Sequence, residues 1–126
     1  MTQSTDIIFV NPNSTQSMTD KIVLSANIAL NNRRNVTGVT CFGAPSAIQG
    51  PSDAEKAKPI LFSNLKEAEK AESKLAVIAC FDDPFLFEAR RTISIPTIGI
   101  GWAAFTMCSL YSCLLYTSDA ADEHGC

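Results

Sequence analysis

The chain has 126 residues, enough for one domain with a core of its own, and its 46% hydrophobic and 18% charged residues are an ordinary globular balance. The net charge of −3 arises at the far end, where Asp119, Asp122 and Glu123 have no base near them; the remaining acids equal the 10 bases. A neutral body excludes an electrostatic binder of nucleic acid or of an anionic membrane.

Asp6–Val10, an apolar run with two isoleucines, a phenylalanine and a valine, predicts a buried first strand. Asn11-Pro12-Asn13-Ser14-Thr15 is turn and cap chemistry, after which Met18, Ile22, Ala26 and Leu30 mark the inner stripe of a helix. Asn31-Asn32-Arg33-Arg34 ends it with bases suited to its C-terminal dipole. Val36–Phe42 is β-branched and predicts the second strand, followed by a loop from Gly43 to Pro51. Ser52 and Glu55 have the spacing of a capping box, but Pro59 predicts a break, so the second helix is expected from about Pro59 to Ser73. Ile60, Leu61, Leu65 and Ala68 would be its inner face.

Leu75–Ala79 predicts the third strand, and Asp83-Pro84 the N-cap and first residue of a third helix. Thr97–Gly101 predicts the fourth strand, with a helix from Ala103 onward. Strand and helix alternate throughout, which implies a parallel sheet. Thr92 to Ser118 carries no charge, yet Pro96, Gly99 and Gly101 interrupt it, so no membrane span is expected. There is no basic, apolar leader, and the cysteines at 41, 80, 108, 113 and 126 form no paired motif. Both features suit reduced thiols in a cytoplasmic protein.

Ligands of such sheets bind at the carboxyl ends of the strands. Three strand ends carry unusual residues: Asn11 to Thr15, Cys80 to Pro84, and Gly99 to Trp102. The first offers amides, hydroxyls and the N–H groups of a helix start, a cradle for a carboxylate or carbonyl; equally, Asn13 or Ser14 could simply cap the helix. Cys80 precedes a helix N-terminus, which favours its thiolate, whereas Asp82 and Asp83 disfavour it. On those residues alone, a small buried thiol is the better reading of Cys80. Cys41 is expected inside the second strand and Cys108 in the core side of the last helix. The only histidine is His124, so a Ser-His-Asp triad, a Cys-His pair and a zinc site lack support, as does a nucleotide-binding loop.

Taken in order, these segments resemble the hydantoin racemases of the aspartate/glutamate racemase superfamily. Val10-Asn11-Pro12-Asn13-Ser14-Thr15 with Met18-Thr19 resembles the opening of that family. Gly43 to Gly50 and Asp53 resemble its Gly-Pro-x-Ser-Ile-Glu-Gly-x-x-Asp loop, altered by Ala44 before Pro45 and by Gln49 in place of glutamate. Val77-Ile78-Ala79-Cys80-Phe81-Asp82-Asp83-Pro84 is the most specific match, and Ile98-Gly99-Ile100-Gly101 with Ala103-Ala104 resembles the fourth strand and helix start. The resemblance implies a flavodoxin-like three-layer α/β lobe with a four-stranded parallel sheet. It also implies racemisation of amino acids or hydantoins by cysteine-mediated proton transfer at the α carbon, without cofactor or metal. It reverses the reading of Cys80, which becomes one acid/base, and assigns substrate contacts to Asn11, Asn13, Ser14, Thr15, Phe81 and Asp82. A small-molecule substrate and a homo-oligomeric intact protein are implied, with no nucleic acid or membrane partner. Phe85 departs from the family's usual glycine, and Trp102 from its common glutamate.

The second lobe, with its Gly-Cys motif, has no counterpart in the chain. Cys113 to Glu123 reads instead like a translated sequencing-library adapter. Residues 1–112 are therefore expected to be the N-terminal lobe and 113–126 a non-native tail, leaving an inactive fragment with an exposed apolar face. The competing readings are an α/β module that binds a small carboxylate without catalysis, and a single-cysteine decarboxylase or isomerase of the same superfamily.

Overall fold

The computed structural model describes residues 5–115, so the part of the expected tail from residue 116 onward lies outside the described residues. Four parallel strands, β1 (Ile7–Asn11), β2 (Val36–Thr40), β3 (Leu75–Ile78) and β4 (Thr97–Gly99), lie in the order β2-β1-β3-β4. They alternate with α1 (Gln16–Ala29), α2 (Pro51–Lys70), α3 (Leu86–Thr92) and α4 (Ile100–Leu115). The chain order therefore reverses at β1, and the carboxyl ends of β1 and β3 lie side by side.

Period-2 alternation divides the sheet residues between two layers. Ile8, Val10, Ala76 and Ile78 join Leu61, Leu65 and Ala68 of α2 and Leu86 and Ala89 of α3 in one buried core. On the opposite face α1 lies against β2 at Gly38, where a Cβ would stand 2.5 Å from Val23 Cγ2 and 2.7 Å from Thr19 Cγ2. The glycine is what lets the helix come that close. The architecture is the expected three-layer α/β lobe.

Several local expectations are corrected. α2 runs unbroken through Pro59. An interior proline costs about 3 kcal/mol. Here Pro59 and Glu55 are both exposed, so the carbonyl left without a donor is on the wet side, while Ala57, Leu61, Leu65 and Ala68 bury both halves of the helix. No side chain caps α2; Gly50 is the N-cap, Pro51 opens the helix, and Asp53 Oδ2 accepts the Gln49 N–H at 3.0 Å. The α1 stripe is rotated: Thr19 is the buried residue and Met18 is 46% exposed. α1 ends through Asn31 and Asn32 in left-handed backbone rather than through bases in its last turn. β2 stops at Thr40, and α4 starts directly at Ile100. Cys108 lies on α4 but is exposed, because that helix presents Phe105, Met107, Leu110 and Tyr111 to solvent as well. Among the described residues, no helix is long and apolar enough to cross a membrane.

Candidate active site

β1 ends in a turn that is closed on itself. Asn11 is 1% exposed, and its Nδ2 donates to Asn13 Oδ1 at 2.8 Å and to Thr19 Oγ1 at 3.0 Å. Its Oδ1 accepts the Asn13 N–H at 3.2 Å, and Asn13 Oδ1 accepts the Thr15 N–H at 2.9 Å. Thr19 in turn shares a hydrogen bond with Thr40 at the end of β2, at 2.7 Å. Buried amides need such partners, and here they supply them to one another. Thr15 is the N-cap residue of α1, but its hydroxyl donates to the Ser46 carbonyl at 2.8 Å rather than serving the helix. Ser14 is tied to the same loop through its N–H, which meets the Pro45 carbonyl at 3.0 Å. Among the described residues, Asn13 Nδ2 has only the thioether of Met18 at 3.4 Å, a weak acceptor.

β3 ends in a turn of a different kind. The Asp83 N–H donates to the Cys80 carbonyl at 2.9 Å, closing a turn over Phe81 and Asp82. Asp83 (φ 50°) and Phe85 (φ 58°) are both in left-handed backbone. That region costs a residue with a Cβ about 1–2 kcal/mol, less for aspartate. Asp83 does not cap α3, as its position before Pro84 suggested. Its carboxylate reaches across to α4, where Oδ1 accepts the Gly101 N–H at 3.0 Å, and α3 begins only at Leu86. Cys80 is therefore not at the N-terminus of α3, and the helix-dipole argument for its thiolate does not hold there.

The two turns enclose one cavity of about 310 Å³. Asn11, Pro12 and Asn13 line it from β1, and Ala79, Cys80 and Phe81 from β3. Met18 and Ile22 of α1, Ala47 and Ile48 of the loop before α2, and Ile100 at the head of α4 complete it. All of the expected strand ends contribute. Ser14 and Thr15 are not among the lining residues, and the exposed Asp82 borders two other grooves, one with Pro51 and Phe85 and one with Trp102 and Phe105. Trp102 lies away from the cavity, with the Arg90 guanidinium 4.4 Å from its ring centre. Met18 and Ile22 were read from the sequence as helix core, and Ala47 and Ile48 as part of the Gly43–Gly50 loop, but none of the four was expected to line the site. With Thr19 taking the place against the sheet, Met18 and Ile22 stand beside it at the cavity, and the loop that supplies the others has no local feature marking it as a wall.

Cys80 is half-buried, and burial pushes its thiol above the ordinary range. The Asp82 backbone N–H works against this, while the charges of Asp82 and Asp83 add to the rise. The thiol is thus the resting form at neutral pH. Two further cysteines differ from it: Cys41 is fully buried beside Asn64, its thiol also raised by burial, and Cys108 is exposed. Neither lines the cavity. The arrangement can present one protonated thiol and one amide N–H to a small ligand between apolar walls.

Known proteins are similar to this chain over most of its length. The family model described as Asp/Glu/Hydantoin racemase matches residues 7–113. The chain is 36% identical over 98 residues to the hydantoin racemase of Rhizobium meliloti, covering 78% of this chain and 41% of that protein. It is 29% identical over 101 residues to the hydantoin racemase of Pseudomonas sp. (strain NS671), covering 80% and 41%. The solved structure of allantoin racemase from Klebsiella pneumoniae superposes with a TM-score of 0.77 at 28% identity, over 82% of this chain and 42% of the other. The chain thus spans about two-fifths of the length of these relatives.

Proposed function

The chain belongs to the Asp/Glu/hydantoin racemase family, and from that premise we propose that it is one lobe of a cofactor-independent racemase in which Cys80 is an acid/base at the substrate α carbon. The observation that supports this reading is the common cavity of Cys80 and Asn13 at the carboxyl ends of β3 and β1. In the proposed step a thiolate takes the proton from a carbon beside a carbonyl. The C–H bond breaks, an S–H bond forms, and the electron pair moves onto the carbonyl oxygen. A thiol on the other face returns a proton to that carbon and re-forms the bond with opposite hand.

The resting Cys80 thiol suits the proton-donating half of this cycle. In the reverse direction its raised pKa makes the thiolate rarer but a stronger base, which a weak carbon acid needs. Asn13 Nδ2 is the polar group best placed to exchange the Met18 thioether for a substrate carbonyl or carboxylate. Asn11 acts at one remove, holding Asn13. The second acid/base is proposed to come from protein beyond residues 1–112, with 113–126 foreign to the lobe. The substrate class is a hydantoin, an allantoin-like ureide or an amino acid.

The test uses the 126-residue chain and the product of its source gene read past Ser112. Each is incubated with single enantiomers of 5-substituted hydantoins, allantoin, aspartate and glutamate in D2O. Loss of optical rotation is followed together with exchange of the α proton. The longer product is expected to racemise one class, and Cys80→Ala to lower the rate roughly a thousandfold. The 126-residue chain is expected to bind without turnover. No exchange by the longer product, with ligand binding that survives Cys80→Ala, would replace the racemase with a binding module.

A further inference from the structure

We propose that Asp83 is a positioning residue for Cys80, holding the turn that carries the thiol against the first turn of α4. This goes beyond the racemase reading to how the lobe aims its thiol, and it rests on that reading only for its effect on turnover. The hydrogen bonds carry it. The Asp83 N–H holds the Cys80 carbonyl at 2.9 Å, and the Asp83 carboxylate holds the Gly101 N–H at 3.0 Å. One residue therefore ties the end of β3 to the start of α4.

The glycines opposite it are shaped to that task. A Cβ on Gly99 would strike the Asp83 carboxylate, and a Cβ on Gly101 would strike the Phe81 carbonyl as well as Asp83 Oδ2. The seat admits the aspartate only because those side chains are missing. Asp83 also takes for itself an N–H at the positive end of α4, the helix whose first residue, Ile100, lines the cavity of Cys80. The charges near the thiol are Asp82 and Asp83 of its own turn. The walls facing it from α1, the preceding loop and α4 are Met18, Ile22, Ala47, Ile48 and Ile100, none of them ionisable. Asp83 is thus both the anchor of the turn and a like charge beside it, and substitutions separate these effects.

The experiment follows alkylation of Cys80 by iodoacetamide across pH in the 126-residue chain, read at that peptide by mass spectrometry. Asp83→Asn keeps the acceptor oxygen and removes the charge. It is expected to move the midpoint of the pH profile downward while leaving the high-pH plateau within about twofold of the parent. Asp83→Ala removes the anchor as well, and its plateau is expected to rise about threefold or more as the turn opens. Equal plateaus for the Asn and Ala variants would overturn the proposal. A second readout is solvent exchange of the Gly101 amide proton, which the acceptor on residue 83 should slow in the parent and the Asn variant and which should speed about threefold or more in the Ala variant. A Gly101 amide that exchanges equally fast in all three proteins would also overturn it. If the thiol results hold while the longer product shows no proton exchange, Asp83 keeps its positioning role and the racemase reading alone fails.

Discussion

The turn after β1 is held by side-chain amides that bond to one another, whereas the turn after β3 is held by one carboxylate of its own, which accepts an N–H of the neighbouring helix α4, and passes twice through left-handed backbone. Both face the same cavity. The first is bonded within itself through Asn11 and Asn13, and outward to Thr19 and to the loop at Pro45 and Ser46, so its geometry would persist with the cavity empty. The second depends on an anchor outside itself and on glycines that leave room for it. A proton-transfer site needs a rigid cradle for the ligand and a thiol whose position and charge can be set separately. The two constructions suit those tasks.

The sharpest way to break this contrast is Asn11→Ala. Asn11 donates and accepts within the buried network and is closed off from solvent. The substitution removes several hydrogen bonds and leaves a void, which together should cost about 3 kcal/mol of stability. Urea denaturation of the parent and variant measures it. A cost below about 1 kcal/mol would mean that the network is not what holds the turn, and that the Asn11 amide is available to a ligand instead.

Gly101→Ala probes the other turn with a smaller expected effect. Alanine is the better helix former by about 1 kcal/mol. That gain is outweighed because the new Cβ meets the backbone carbonyl of Phe81, which can yield only if the whole turn moves. A net loss of about 2 kcal/mol is expected, in the range of other forced insertions of a methyl group. Faster alkylation of Cys80 should accompany it. A variant as stable as the parent, with Cys80 unchanged, would remove the close docking of the two segments.

Much of this was legible in the sequence, and the failures share a cause. The alternation of apolar strands with helices gave the order of the elements and the parallel sheet. The strand ends at Asn11, Cys80 and Gly99 were recognisable by their residue types, and they meet at one cavity as their topology requires. What could not be read was where a polar side chain goes when a distant backbone offers a better partner. Asp83 before Pro84 has the local form of a helix cap, but its partner is Gly101, 18 residues on. Pro59 has the local form of a helix breaker, yet the core formed by Leu61, Leu65 and their strand partners carries α2 through it. Asn13, left open between cap and ligand cradle, bonds the Thr15 N–H at the head of α1 and still leaves an amide toward the cavity.

Phe85 is the finest test of the strained turn, because opposing effects nearly cancel there. Its ring stands edge-on to Phe62 with centroids 6.4 Å apart, and Lys58 Nζ lies 5.0 Å from its centre. Its backbone meanwhile sits at φ 58°, where the hydantoin racemases that the sequence resembles usually have glycine. Phe85→Gly relieves the strain, worth about 1–2 kcal/mol. It loses the half-buried ring and its contacts, worth about 2–3 kcal/mol together, and should end about 1 kcal/mol less stable than the parent. Phe85→Ala loses the same ring without gaining the freedom of glycine, so it should be less stable than Phe85→Gly by about 1 kcal/mol. That order reverses the usual preference for alanine over glycine, and no loss of packing can produce it. Paired urea melts of the two variants decide the matter. If the alanine variant is the more stable, the backbone at position 85 is not left-handed, and the contrast between a relaxed turn and a strained one disappears.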